Sequence, residues 1–373
     1  MSVPRGQIES VYLHWAKLRS AAPVNLATSA VAPFPLAELP LRIEDVVAHD
    51  PGAYGYPPLQ ERLARYAGVD AECVVAAPGA SMANYLAMAA VLEPGDEVLL
   101  ERPAYEPILA AARFLGAEVR RFERRRQNGF RADPEEIEHA ITPRTRLIVL
   151  ANLHNPTSAL AREDDLRALG AIAARAGARV LVDEVYLEGL YARRPRTAFH
   201  LGSQFLVTSS LTKAFGLADL RCGWVLAEPS LARRIWRVRD LHDVNSAHAA
   251  ERLAVVALDH IDRLAARAEG LLAVNRPLAS RFLDAHPHLP LLRPEFGNVI
   301  ALRAPSRNSG TDAPVGEADD FCDFLRERYE TAVVPGRFFE MPECFRLGIG
   351  GETAELREGL SRLAAAAEEF ARR

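Results

Sequence analysis

Short apolar runs alternate with amphipathic stretches between about residue 60 and residue 240. Seven of these runs have the length of strands, and most of them are rich in Val, Ile, Leu or Ala. Many of the stretches between them carry apolar residues at helical spacing, as in EDDLRALGAIAARA at residues 163–176. This alternation predicts a mostly parallel, seven-stranded α/β sheet with helices on both faces. The predicted strands are residues 73–76, 97–100, 118–122, 145–150, 179–182, 204–208 and 224–227.

The pattern changes beyond residue 245, where longer helical stretches rich in Ala, Leu and Arg begin. Short strand-like runs and a terminal helical stretch follow them, which predicts a second, smaller α+β domain. One loop-like segment, RAPSRNSGTDAPVGE at residues 303–317, is expected to be mobile. The predicted helices are residues 247–259, 261–285 and 352–372, and the predicted strands are residues 298–302 and 345–348.

Composition narrows the class of protein. The chain has 373 residues, 49% hydrophobic and 25% charged, which is typical of a soluble globular protein with two domains. A net charge of −4 gives no reason to expect nucleic acid or an anionic membrane as partner. The four cysteines form no CxxC pair, and the first twenty residues lack the apolar core of a signal peptide, so a cytoplasmic location is expected. The basic run at residues 120–126 favours a solvated strand edge or loop over an anion site.

Polar residues follow several of the predicted strands, at the sheet edge where ligands bind in such folds. A Gly-containing turn at residues 78–79 opens a helix and could hold a phosphate, although such turns are often plain connections. Tyr105 could stack on a flat ligand or pack in the core. Asn155 precedes a proline and is either part of a turn or a donor to a ligand. Asp183 is either a helix cap or a buried carboxylate that needs a cation.

The segment SSLTKAFGLADLRCGW, residues 209–224, adds a lysine, hydroxyls and an arginine to the same edge. Desolvation would lower the pKa of Lys213 and make its amine nucleophilic. Arg221 is suited to binding a phosphate. Taken together, the aromatic ring, amide, carboxylate, lysine, hydroxyls and arginine match a flat pyridine ring that carries a phosphate and an aldehyde.

These residues belong to short sequence motifs that follow one another along the chain. The pattern SxTKxxGLxxxRxG begins at Ser210, and it follows NPT at residues 155–157 and DxxY at residues 183–186, and precedes FRLG at residues 345–348. With these motifs the chain resembles the fold-type I pyridoxal-phosphate enzymes, specifically the class I/II aminotransferases of the aspartate aminotransferase superfamily. The resemblance implies a large cofactor-binding domain at residues 45–265. Residues 1–44 and 266–373 would then form the small domain, which includes an N-terminal lid segment.

The resemblance also implies a role for each motif residue. Lys213 would form the internal aldimine with pyridoxal 5'-phosphate and later carry the proton, and Asp183 would pair with the ring nitrogen. Arg346 would bind the substrate α-carboxylate, near Asn155 and Ser29. The other roles implied are ring-oxygen contacts from Tyr186 and Asn155, stacking by Tyr105, and phosphate binding by Ala80, Ser81, Ser210 and Arg221.

A homodimer with shared active sites is also implied. A tyrosine of the segment around residues 54–56 would reach the phosphate of the neighbouring subunit, with Tyr54 the first choice and Tyr56 the reserve. Asn245 or Ser246, near the start of a long helix, would lie at the same interface.

The chain departs from the family pattern at three places. Ser158 follows the NPT motif where a glycine is usual, and Ser29 and Ala30 stand where the lid usually has a glycine. The segment at residues 54–60 is about four residues shorter than usual and lacks the customary Gly turn and Leu-Arg pair. These changes leave the cofactor residues in place but alter the expected shape of the pocket, on which the choice of substrate depends.

Three functions are therefore candidates for this chain. The first is an aminotransferase acting on an L-amino acid and a 2-oxo acid, and the second is another reaction on the same cofactor, namely C–S β-elimination, decarboxylation or racemisation. Arg346 favours substrates that keep their carboxylate, which argues against decarboxylation. The third, a non-catalytic ligand sensor, would need a DNA-binding module, for which the residues before Asn25 are too few. Aromatic residues at residues 11–17 could roof the pocket, or Trp15 could pack against its own domain.

Overall fold

The computed structural model describes residues 8–46, 54–306 and 316–373. Most of the loop expected to be mobile therefore lies outside the described residues. The strands in the described chain are β1 (Val24–Asn25), β2 (Val74–Pro78), β3 (Glu97–Arg102), β4 (Glu118–Glu123), β5 (Thr145–Ala151), β6 (Arg179–Asp183), β7 (Phe205–Ser210), β8 (Cys222–Leu226), β9 (Val299–Arg303), β10 (Thr331–Ala332), β11 (Val334–Pro335) and β12 (Cys344–Gly348).

Helices alternate with the strands of the central sheet and then dominate the C-terminal part of the chain. Several begin with proline in the first turn, where the missing backbone N–H has no helical partner to lose. The α-helices in the described chain are α1 (Val11–Leu18), α2 (Pro57–Ala67), α3 (Gly79–Val91), α4 (Glu106–Phe114), α5 (Pro134–Ala140), α6 (Glu163–Ala176), α7 (Pro229–Arg239), α8 (His248–Asp259), α9 (Ile261–Ala285), α10 (Glu317–Tyr329) and α11 (Thr353–Ala371).

The central sheet has seven strands in the order β2-β8-β7-β6-β5-β3-β4. All neighbouring pairs are parallel except those of β8, which runs antiparallel to β2 and β7. The predicted fold class, a mostly parallel seven-stranded sheet, is therefore confirmed. Because β5, β6 and β7 are adjacent and parallel, the residues at their carboxyl ends are brought to one edge.

A second core forms around a three-stranded antiparallel sheet of order β11-β12-β9. Its apolar residues come from α9, α10, α11 and the short strands, with Val24 and Leu26 from the N-terminal part of the chain. The largest core cluster contains residues between Phe34 and Leu264. The exact domain boundaries, at residues 44/45 and 265/266, stay a prediction. Among the described residues no helix is both long and apolar enough to cross a membrane.

One expectation about local structure is wrong, and a second, that the basic run is a solvated strand edge or loop, is correct except at Arg124. The sequence placed Ser209 and Ser210 beyond their strand, but β7 includes both because they pair with Trp224 and Gly223 of β8. The basic run at residues 120–126 is also not wholly solvated. Arg124 is 1% exposed and its Nη1 lies 2.8 Å from Glu101, which offsets the cost of burying the guanidinium.

Candidate active site

A cavity of about 520 Å³ opens at the carboxyl ends of β5, β6 and β7. Asp183 ends β6 and Ser210 ends β7, so adjacent strands deliver both side chains to the same place. The sheet thus gathers residues that are far apart in sequence. The predicted site residues that line the cavity are Ala80, Ser81, Tyr105, Asn155, Asp183, Tyr186, Ser210, Lys213 and Arg221.

The amine of Lys213 lies inside this cavity. Its Nζ donates a hydrogen bond to the Oγ of Ser29 at 3.0 Å. Desolvation lowers the pKa of Lys213 to about 8, with further lowering by Arg346 and Arg221 and an opposing effect from Asp183. Near neutral pH a useful fraction of this lysine is therefore the neutral, nucleophilic amine.

The carboxylate of Asp183 is 5% exposed and is held by two donors. Asn84 Nδ2 donates to Oδ2 at 2.7 Å, and the backbone N–H of Val185 donates to Oδ1 at 3.0 Å. Thr208 Oγ1 donates to the Asn84 amide oxygen at 2.5 Å, which fixes how that amide is turned. Burial raises the pKa of Asp183, against the lowering effect of these bonds. A buried carboxylate that faces a cavity is well suited to a cationic N–H such as a protonated ring nitrogen.

The sequence reasoning missed Asn84 as a functional residue. It lies in α3 among apolar neighbours and is 4% exposed. A polar side chain on the buried side of an otherwise apolar helix is the signal that could have identified it, because such a side chain needs a buried partner.

Another part of the cavity lining comes from the first turn of α3 and from Arg221. Arg221 donates to the carbonyl oxygens of Ala218 at 3.0 Å and Pro78 at 3.1 Å. A Cβ at Gly79 would overlap the Arg221 guanidinium, and a Cβ at Gly223 would overlap the backbone of Gly79. Glycine at these two positions leaves room for the Arg221 guanidinium and the N-terminus of α3 to lie close to each other. The result is a cradle of N–H donors of the kind that binds phosphate.

Arg346 borders the cavity through Asn155. It is 1% exposed, and its Nη1 donates to the Asn155 Oδ1 at 3.1 Å. Its Nη2 donates to the Tyr12 hydroxyl at 3.1 Å and to the Ala27 carbonyl oxygen at 3.2 Å. Its buried Nε has no hydrogen-bond partner among the described residues. A buried arginine with an unused N–H fits a carboxylate ligand, since buried donors are nearly always paired.

Two tyrosines complete the lining. Tyr186 is 6% exposed, and burial raises the pKa of its hydroxyl against a lowering effect of Ser29. The ring of Tyr105 meets the ring of Tyr12 edge-on, with centroids 5.5 Å apart. Tyr12 on α1 therefore contacts both Arg346 and a cavity residue, and its bond to Arg346 is one that the sequence did not predict.

Two side chains of helix α1 reach the cavity. Leu13 and Lys17 line it, one helical turn apart. Trp15 instead packs against Phe338, with ring centroids 5.3 Å apart. Of the two interpretations of Trp15, packing against its own domain therefore holds.

The residues expected at a subunit interface do not line the cavity of their own chain. Tyr54 is 45% exposed and its hydroxyl donates to Asp240 Oδ2 at 3.1 Å. The ring of Tyr56 meets His248 edge-on at 4.8 Å. Their roles toward a neighbouring subunit stay a prediction.

Ser158 shows why a glycine is usual after the NPT motif. Its φ is 58°, in the left-handed region that favours glycine. Its hydroxyl donates to the Val299 carbonyl oxygen at 2.8 Å, so the serine ties this turn to β9. Ser158 itself is not among the residues that line the cavity.

The sequence also resembles characterised proteins over most of its length. Residues 46–363 match the family described as "Aminotransferase class I and II". Capreomycidine synthase of Streptomyces vinaceus is 30% identical over 297 residues, which cover 78% of this chain and 73% of that protein. The arginine–pyruvate transaminase AruH of Pseudomonas aeruginosa is 30% identical over 320 residues, covering 84% of this chain and 79% of that protein.

Solved structures of similar proteins point to the same family. A PLP-dependent aminotransferase from Streptococcus suis superimposes with a TM-score of 0.88 at 26% identity and covers 99% of both chains. The PLP-dependent cyclase OrfR superimposes with a TM-score of 0.87 at 27% identity, covering 98% of this chain and 99% of that one. The chain therefore belongs to the class I and II aminotransferases, a family of pyridoxal-phosphate-dependent enzymes.

Proposed function

We propose that this enzyme transfers an amino group between an L-amino acid and a 2-oxo acid. One observation carries the proposal. The amine of Lys213 shares a cavity with the buried carboxylate of Asp183, and Arg346 donates to the cavity residue Asn155 and has an Nε–H with no partner among the described residues. These three groups provide an attachment point, a partner for a cationic ring nitrogen, and a clamp for an α-carboxylate.

Pyridoxal phosphate, when bound, supplies the electron sink that stabilises negative charge at the substrate Cα. The protein residues do the rest. Asp183 would hold the ring-nitrogen proton, and Lys213 would take the proton from Cα and deliver it to the aldehyde carbon of the cofactor. Arg346 Nη1 lies 3.1 Å from Asn155 Oδ1. Together these two residues would fix the substrate carboxylate and thus the orientation of the Cα–H bond. Phosphate contacts would come from Arg221 and the first turn of α3.

A different reaction on the same cofactor is the second candidate. Two of the similar proteins carry the names capreomycidine synthase and cyclase OrfR, so chains of comparable similarity include enzymes not named as transaminases. The first steps of all these reactions use the same anchoring groups. The buried Arg346 favours substrates that retain their carboxylate, which argues against decarboxylation.

We also infer a homodimer with shared active sites. Leu241 and Val244 are 83% and 64% exposed, and Tyr54 is exposed as well. A second, mainly apolar cavity of about 370 Å³ reaches Arg221 at the phosphate end, and Asn245 and Ser246 line it. An exposed apolar surface next to this cavity supports a second copy of the chain as its occupant. Location in the cytoplasm stays a prediction from the sequence.

The proposed reaction is tested by mixing the cofactor-loaded enzyme with a panel of amino acids labelled with ¹⁵N. A transaminase converts one equivalent of amino acid into its 2-oxo acid and retains the nitrogen on the cofactor. Addition of a second 2-oxo acid should then release a new amino acid that carries the label. Release of free ammonia would identify an elimination, and formation of the enantiomer without oxo acid would identify a racemase.

The carboxylate clamp is tested by Arg346→Lys. Lysine keeps the positive charge but loses the planar fork, so KM for both the amino acid and the oxo acid should rise by about tenfold or more. Arg362→Lys, at a partly buried arginine on α11 whose guanidinium donates to Glu358 and to the Tyr329 carbonyl oxygen, is the matched control. The assignment is wrong if amines that lack a carboxylate react with the wild-type enzyme as well as amino acids do.

The shared site is tested by hybrid dimers. Lys213→Ala subunits, which are inactive alone, are mixed with subunits in which Tyr54 and Tyr56 are both phenylalanine. If the tyrosines serve the neighbouring subunit, one site of each hybrid carries both lesions and the other carries neither, so activity should return. Full activity of the double-phenylalanine variant alone, or turnover by a monomer, would contradict the shared site.

A further inference from the structure

Residues 26–34 form an extended segment, here named the strap, that runs between the loop bearing Lys213 and the three-stranded sheet. On the first side, Val31 N–H donates to the carbonyl oxygen of Lys213 at 2.9 Å, and Phe34 N–H donates to that of Gly216 at 3.0 Å. On the second side, Ala32 N–H donates to the Gly350 carbonyl oxygen at 2.7 Å. The strap is therefore bonded directly to the backbone of Lys213 itself.

Three glycines allow the strap to lie this close. A Cβ at Gly216 would overlap the carbonyl oxygen of Ala32, and a Cβ at Gly348 would overlap that of Thr28. Gly350 has the same relation to the carbonyl oxygen of Ala30. Because these three glycines have no side chain, the strap packs directly against their backbone on both sides. Its position relative to Lys213 is therefore closely fixed.

Ser29 lies in the middle of the strap and is 6% exposed. Its carbonyl oxygen accepts from Asn298 Nδ2 at 2.9 Å, which helps to fix this peptide. Its hydroxyl accepts from Lys213 Nζ at 3.0 Å, and it opposes the rise in the pKa of the Tyr186 hydroxyl that burial causes. A glycine here would preserve the backbone contacts but would remove the hydroxyl that acts on both side chains.

We propose that Ser29 is a positioning residue that holds the amine of Lys213 whenever this amine is not bonded to the cofactor, and that it links this amine to Tyr186. The inference rests on the proposed function only in assigning proton transfer to Lys213. It goes beyond the substrate-carboxylate role expected for this part of the lid, because the contact made by the hydroxyl is with the lysine.

The physical reason is the freedom of the lysine side chain. Its four-carbon stem has several rotamers, and proton transfer needs the amine within hydrogen-bond distance of the reacting carbon atoms. An acceptor on a rigid strap restricts the amine to one side of the cavity. The same acceptor favours the charged form of the amine, since hydrogen bonds to charged donors are stronger than those to neutral ones.

The first test uses the full chain without cofactor. The extent of Lys213 acetylation by acetic anhydride is measured against pH by peptide mass spectrometry, in wild type and in Ser29→Ala. Loss of the acceptor should lower the midpoint of the Lys213 profile by roughly one pH unit. Ser29→Thr, which keeps a hydroxyl, should restore the midpoint. Thr28→Ala removes an exposed neighbouring hydroxyl and should leave it unchanged.

The second test uses the cofactor-loaded enzyme. Ser29→Ala should lower kcat about tenfold while KM changes little, because the substrate clamp is intact and only the placement of the base is lost. A Cα-deuterated substrate should show a larger isotope effect in Ser29→Ala than in wild type, as proton transfer becomes more rate-limiting.

The outcomes separate this inference from the proposed function. An unchanged acetylation midpoint together with an unchanged kcat in Ser29→Ala overturns the role of Ser29 and leaves transamination standing. A shifted midpoint in a protein that fails to transaminate any amino acid supports the contact and overturns the proposed function. A raised KM with unchanged kcat and midpoint would place Ser29 at the substrate instead and would overturn the positioning role.

Discussion

The site depends on two opposite charges held out of water at neighbouring strand ends. A lysine amine and a carboxylate are each costly to bury, and each shifts in pKa toward its neutral form here. The parallel pairing of β6 with β7 brings Asp183 and the loop bearing Lys213 to one edge. Asn84 and the Val185 N–H then hold the carboxylate, while Ser29 accepts from the amine. A planar ring with a cationic nitrogen and an aldehyde complements both groups.

Several separate parts of the molecule contribute residues to the small cavity that contains these two groups. The seven-stranded sheet provides the edge, and α3 provides backbone N–H donors at its first turn. Arg346 comes from β12 of the other sheet, so the proposed substrate clamp and the proposed cofactor groups are contributed by different cores. Tyr12 on α1 hydrogen-bonds to Arg346 and contacts Tyr105, which joins the N-terminal helix to both.

Much of the fold could be predicted because strand and helix periodicities alternate clearly over the central part of the chain. The hydroxyl-rich end of β7 was missed, since Ser209 and Ser210 interrupt an apolar pattern although they pair with β8. The motif residues of the site were predicted by resemblance, but their partners were not. Asn84, Thr208 and Tyr12 act through contacts that depend on helix packing and on residues distant in sequence, and a linear pattern does not encode these. Arg124 was misjudged for the same reason, because its partner Glu101 lies on another strand.

The central claim, that Lys213 anchors the cofactor in this cavity, is tested most directly by chemical trapping. Protein loaded with pyridoxal phosphate is reduced with borohydride, digested and mapped by mass spectrometry. The account predicts a stable adduct on residue 213, and loss of both the adduct and the visible absorbance band in Lys213→Ala. An adduct at a different lysine, or a band that survives Lys213→Ala unchanged, would contradict it.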